Sequence, residues 1–194
     1  MINYSYYRDT YSFSFHNLLC SAKHFPYRVL IFVTKFIKMK ILMVCLGNIC
    51  RSPLAEGILK HKIKEAGLSW QVDSAGTNGY HVGEAPHTLS QKVAALNGID
   101  ICGQKARRFV AEDLEKYDKI YAMADDVVED IKRIAGKKYN PEKVDLFLNE
   151  LHPGEHRSVP DPWYGLEPGY HEVYDLINQT CERIIQNEKS KNVK

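Results

Sequence analysis

The chain of 194 residues has no long apolar run. The longest near its start, residues 29–33, is five residues long and is soon followed by Lys35. A membrane-spanning helix needs about 20 apolar residues, and a secretory leader needs a longer apolar core with a small-residue cleavage site. Neither pattern is present, so the expected compartment is cytoplasmic and no membrane partner is expected. Strong charge of one sign is also lacking: the net charge of +2 is too small to argue for a nucleic-acid partner. The five cysteines (Cys20, Cys45, Cys50, Cys102, Cys181) are odd in number and widely scattered. Such a set is no disulfide framework and suits a reducing compartment. Cys45 and Cys50 lack a second pair at ligand spacing, which argues against a zinc site. No internal repeat and no second domain is visible.

What is present is ordinary globular material. Hydrophobic residues make up 44% and charged residues 26%, the balance of one domain with a full core. The charge is unevenly placed. Residues 1–38 hold five basic residues and one acid, Asp9, whereas the remaining 21 basic and 23 acidic residues leave the body slightly acidic. Residues 1–38 are also rich in Tyr and Phe and show no helical or strand periodicity. They are expected to be a disordered extension or the product of a mis-called start, in which case Met39 is the true start. The domain is then expected over residues 39–187, with a polar tail over 188–194.

From Met39 the pattern alternates. Residues 40–45 read as a buried strand. A helix follows, opening at Ser52-Pro53, carrying Leu54, Ile58, Leu59 and Ile63 at helical spacing and ending at Gly67. Residues 70–73 read as a second strand running into a turn at 74–77. A helix is expected over 87–97, a strand over 119–123, a helix near 125–135 and a strand over 144–148. A loop with several prolines and glycines then leads to a helix over 168–187. Strands separated by helices imply an α/β fold: a single three-layer domain with a central, mostly parallel four-stranded sheet and helices on both faces.

The informative stretch is Val44-Cys45-Leu46-Gly47-Asn48-Ile49-Cys50-Arg51-Ser52-Pro53. In doubly wound sheets, ligands bind at the carboxyl ends of strands. A short loop there that feeds a helix N-terminus turns its free N–H groups inward and makes an anion cradle. The same positive end favours a thiolate at Cys45. Arg51 supplies a planar, permanently charged fork that matches two phosphate oxygens. Gly47 and Asn48 are the residues that best tolerate a left-handed backbone in so tight a loop. A Walker loop is excluded, because no Gly-Lys-Ser/Thr ending follows.

These nine residues, Cys45 to Pro53, resemble the signature loop of the low-molecular-weight protein tyrosine phosphatases. Val159-Pro160-Asp161-Pro162-Trp163-Tyr164-Gly165 resembles that family's Asp-Pro loop, and Val72-Asp73-Ser74-Ala75-Gly76-Thr77 and Tyr117-Asp118-Lys119-Ile120-Tyr121-Ala122-Met123 fit between them in order. The resemblance implies a phosphotyrosine protein phosphatase I-like fold and hydrolysis through a cysteinyl-phosphate intermediate. Cys45 would be the nucleophile, Arg51 the phosphate clamp and Asp161 the general acid and later base. Leu46, Gly47, Asn48, Ile49, Cys50 and Ser52 would bind the phosphate or support the loop, with the Ser52 hydroxyl on the nucleophile's sulfur. Tyr80, Trp163 and Tyr164, with Leu46 and Ile49, would wall the slot for an aryl ring. The resemblance also makes Cys50 a reversible disulfide partner of Cys45. It implies no metal or organic cofactor, and a phosphotyrosine-containing protein or small aryl phosphate as partner; no residue signals an oligomeric state.

Two departures stand out. Ala124 occupies the place of an aspartate after Met123, and His87-Thr88-Leu89 replaces an Asp-x-Arg pattern. Three other activities compete. Arsenate reduction needs resolving cysteines that residues 124–143 lack. Protein arginine phosphatases tend to carry threonine where this chain has Ile49. A phosphate-binding module would be expected to lose the nucleophile or the acid.

Overall fold

The computed structural model describes residues 38–191. The expected extension and the start question lie outside them, apart from Lys38 and Met39, as do the last three residues. Four short strands, β1 (Lys40–Cys45), β2 (Gln71–Gly76), β3 (Lys119–Ala122) and β4 (Val144–Leu146), form one sheet in the order β2-β1-β3-β4, and every neighbouring pair is parallel. Helices α1 (Arg51–Glu65), α2 (Thr88–Leu96), α3 (Asp113–Lys116), α4 (Asp125–Ala135) and α5 (Glu167–Lys191) supply the crossovers and the cover.

The alternation of side chains along β1 divides the core. Ile41, Met43 and Cys45 face a cluster built with Leu54, Ile58 and Leu59 of α1 and Tyr170, Ile177 and Cys181 of α5. Leu42 and Val44 face a second cluster with Leu114, Val127 and Ile131. Both faces of the sheet are thus covered, and β1 is buried from Ile41 onward. Among the described residues, no helix is long and apolar enough to cross a membrane.

Several boundaries differ from the expectations. The stretch expected as a turn, Ser74-Ala75-Gly76, is the second half of β2, and Gly76 pairs with Cys45. Small residues look like turn residues, but here they are small because the loop after β1 packs on them. Strand β4 stops at Leu146, and Phe147–Glu150 form a 3-10 turn whose Phe147 and Leu148 are buried. A short apolar run does not distinguish a strand from a buried turn. Helix α1 begins at Arg51, which puts Pro53 in its first turn, where no intrahelical N–H bond is lost. Ser52 is therefore no N-cap; its hydroxyl is used inside the site. Helix α5 runs on to Lys191, four residues past the expected end, and the single turn α3 carried no periodic signal.

Candidate active site

The loop of residues 46–50 connects β1 to α1 at the carboxyl edge of the sheet. Its shape follows from its neighbours. Thr77 N–H donates to the Cys45 carbonyl and Asn78 N–H to the Leu46 carbonyl, both at 3.0 Å, so the loop leans along the end of β2. A Cβ on Gly76 would stand 2.8 Å from the Leu46 oxygen and 3.0 Å from the Asn48 nitrogen; only glycine admits that approach.

Asn48 is left-handed, with φ 57°, and 2% exposed. Its side chain holds the loop on three sides. Nδ2 donates to Ser52 Oγ at 2.9 Å and to Ser74 Oγ at 2.8 Å, while Oδ1 accepts from the Arg107 backbone N–H at 2.9 Å. Ser74 Oγ donates in turn to the buried carboxylate of Glu56 at 2.6 Å. Every polar atom of the Asn48 amide is therefore partnered, which makes a buried network stabilising rather than costly.

The Cys45 sulfur sits where these bonds converge. Asn48 N–H donates to it at 3.1 Å and Ser52 Oγ lies 3.0 Å away; the Ser52 hydroxyl also lies 3.4 Å from the Ala75 carbonyl, which accepts from it. Arg51, 6% exposed, turns its guanidinium across the mouth of the loop. Nη1 donates to the Val159 carbonyl at 3.2 Å and Nη2 to Asp161 Oδ2 at 2.6 Å. The Val159 N–H in turn donates to the Met123 carbonyl at the end of β3, so residues 159–164 are tied to the sheet and reach over the loop. Trp163 N–H donates to the other Asp161 oxygen at 3.1 Å.

Together these parts line a cleft of about 290 Å³ that holds Cys45, Leu46, Gly47, Ile49, Cys50, Arg51, Asp161, Trp163, Tyr164 and Tyr80. Asn48 and Ser52 stand behind its wall. Tyr80 and Tyr164 are 85% and 93% exposed, so they stand at the rim. Among the four described cysteines, all free thiols, burial pushes the Cys50 thiol up to about 11. Cys181 is fully buried and raised as well, and Cys102 is exposed on the surface. A larger groove, about 560 Å³, follows α1 beside Gly98 and Gln104 but holds neither a cysteine nor an arginine. No group of three or more His, Cys, Asp or Glu side chains among the described residues is arranged to hold a metal ion.

The profile of the low molecular weight phosphotyrosine protein phosphatases matches residues 40–194. The chain belongs to this family. It is 39% identical, over 76% of its length and 94% of the relative's, to the putative low molecular weight protein-tyrosine-phosphatase slr0328 of Synechocystis. With the low molecular weight protein-tyrosine-phosphatase YfkJ of Bacillus subtilis it shares 36% identity over 78% of this chain and 98% of that one. The crystal structure of YfkJ superposes with a TM-score of 0.73, covering 79% of this chain and 96% of that chain.

Within this family frame, two cleft residues carried no motif. Asn78 and His81 follow the end of β2 and line the cleft with Tyr80. The rule that ligands gather at the carboxyl ends of parallel strands would have found them, had β2 been carried through Gly76. Glu56 gave one further sign: a carboxylate one turn after Ser52 on an otherwise apolar helix face.

Proposed function

We propose that the chain is a protein-tyrosine-phosphatase that hydrolyses phosphotyrosine in proteins, or small aryl phosphates, through a cysteinyl-phosphate intermediate. One observation carries the reading: a thiol with two hydrogen-bond partners, a guanidinium and a carboxylate all line one cleft with aromatic sides.

The chemistry follows from the positions. The Cys45 thiolate attacks phosphorus, and the phosphorus–oxygen bond to the phenol breaks. Asp161 gives its proton to the departing oxygen. Arg51 and the loop amides hold the equatorial oxygens, where charge gathers in the transition state. Water then attacks the cysteinyl-phosphate, Asp161 takes its proton, and the phosphorus–sulfur bond breaks. The departing thiolate is received by the Asn48 N–H, which already points at it, and by the Ser52 hydroxyl beside it. The aromatic rim favours a flat phenyl ring, because stacking adds to area burial. The odd, scattered cysteines suit a reducing compartment such as the cytoplasm.

Acid-quenched mass spectrometry during turnover of a phosphotyrosine peptide tests this. One phosphoryl group is expected on the peptide that carries Cys45, accumulating further in Asp161→Ala and absent in Cys45→Ser. Phosphate release with no adduct on Cys45 at any time would contradict the mechanism.

A further inference from the structure

Four rings from separate parts of the chain meet beside the cleft. His87 precedes α2, and its ring stacks on Tyr170 of α5, with centroids 5.4 Å apart and planes 18° apart. Its edge meets Trp163 at 5.3 Å and 65°. Trp163 is tilted against His81 at 5.7 Å, and His81 is itself held by Glu84 Oε2, 2.8 Å from Nδ1. The rings form a ladder from the core to the cleft.

The ladder is anchored at its inner end. Tyr170 is 1% exposed. His87 is fixed three ways: its backbone N–H donates to the Ile49 carbonyl at 2.7 Å, its Nδ1 accepts from Leu89 N–H at 3.3 Å, and Tyr170 Oη lies 3.0 Å from the same nitrogen. The bond from Leu89 makes Nδ1 an acceptor and so assigns the ring proton to Nε2. Toward the cleft His87 meets Trp163, whose backbone N–H holds one oxygen of Asp161 while Arg51 holds the other. Residue 163 therefore couples ring packing to the pose of the carboxylate.

We propose that His87 is a positioning residue for the general acid, acting through Trp163 and not through contact with substrate. The proposal rests on the phosphatase reading above. A group that only orients the acid acts where proton transfer matters, so removing it costs more with a poor leaving group than with a good one. Damage to the phosphate loop would slow both substrates alike.

The test is kcat/KM for 4-nitrophenyl phosphate, whose phenolate leaves readily, against phenyl phosphate, whose phenolate does not. His87→Ala is expected to stay within about 3-fold of the unmodified chain on the first and to lose about 10- to 30-fold on the second. His87→Phe keeps the ring and loses the helix cap; it is expected to resemble the unmodified chain. His87→Asn keeps an acceptor for Leu89 N–H and loses the ring; it is expected to follow His87→Ala. Trp163→Leu also removes a wall of the cleft and should slow both substrates, phenyl phosphate the more; adding His87→Ala to it should widen the gap between the two substrates by less than about 3-fold. Inhibition by inorganic phosphate should stay within about 3-fold throughout, since it reports the intact loop. Equal losses on both substrates, or full recovery in His87→Asn, would overturn the role given to His87. Turnover that does not depend on Asp161 at all would overturn the underlying reading instead.

Discussion

Gly76 and Asn48 show how single residues hold the site. The loop carbonyl of Leu46 would lie 2.8 Å from any side chain at position 76, so even a methyl group must push the loop away from the sulfur it surrounds. Gly76→Ala is expected to lower kcat/KM by about 100-fold and stability by about 1–3 kcal/mol, measured by aryl phosphate turnover and urea unfolding. An active, equally stable Gly76→Ala would show that the loop does not rest on β2. The disulfide proposed between Cys50 and Cys45 makes a second prediction. Burial raises its thiol to about 11, so near neutrality it is protonated and a poor nucleophile. After peroxide converts Cys45 to a sulfenic acid, Cys50 must lose its proton to attack that sulfur and release hydroxide. Disulfide formation should therefore quicken with rising pH, in step with the Cys50 thiolate. A rate independent of pH between 6 and about 10, read by mass spectrometry of quenched samples, would sink this. At this scale much of the candidate site was legible, because a thiol, a guanidinium and a carboxylate have chemistry that survives removal from the fold. Asn78, His81 and His87 were not, because a lone polar residue gains meaning only from what folding sets beside it.

Between elements, the segment after α2 is joined to β2 by a polar cluster centred on Arg107. Arg107 donates to Asp73 Oδ2 at 3.2 Å through Nε and to Asp113 Oδ2 at 3.0 Å through Nη1, and Tyr117 Oη donates to Asp73 at 2.7 Å. Asp113 is 3% exposed, so its charge depends on Arg107 and on the Val110 N–H that also reaches it. The same arginine's backbone N–H supports Asn48. Arg107→Met is expected to destabilise the protein by about 2–3 kcal/mol, because it leaves a buried carboxylate without its cation. A thermal unfolding midpoint unchanged from the parent would contradict that. Burial opposes the charged form of Asp73, but the Tyr117 hydroxyl and Arg107 outweigh it and hold the group below its ordinary 3.8. A depressed value means stability that is present above the ordinary carboxylate range and lost as pH falls through the folded-state value. Asp73→Asn should lower stability at neutral pH and flatten that acid limb, read by urea unfolding across the acid range; an unchanged acid limb would contradict it. The element order was legible because apolar spacing sets strand and helix periods. The ends of β2 and α1 were not, because the site uses their residues: Ser74 and Gly76 receive the loop, Arg51 reaches Asp161 and Ser52 lies at the sulfur. The end of β4 was not, because a short apolar run does not distinguish a strand from a buried turn.

Across the whole molecule, the two faces of β1 explain why a nucleophile can sit at the end of a buried strand. Ile41 and Met43 lock the strand against α1 and α5, and Leu42 and Val44 lock it against α4. Cys45 is thus placed by the core itself, and α1 starts six residues later with its N-terminus at the loop. Substrate class is the central claim, and phosphate release without added metal tests it most directly. The substrates are a phosphotyrosine peptide, a phosphoserine peptide and a phosphoarginine compound. The account predicts turnover of phosphotyrosine, abolished by Cys45→Ser and slowed about 100-fold or more by Asp161→Ala. Preference for phosphoarginine, or no turnover by the folded and reduced protein, would contradict it.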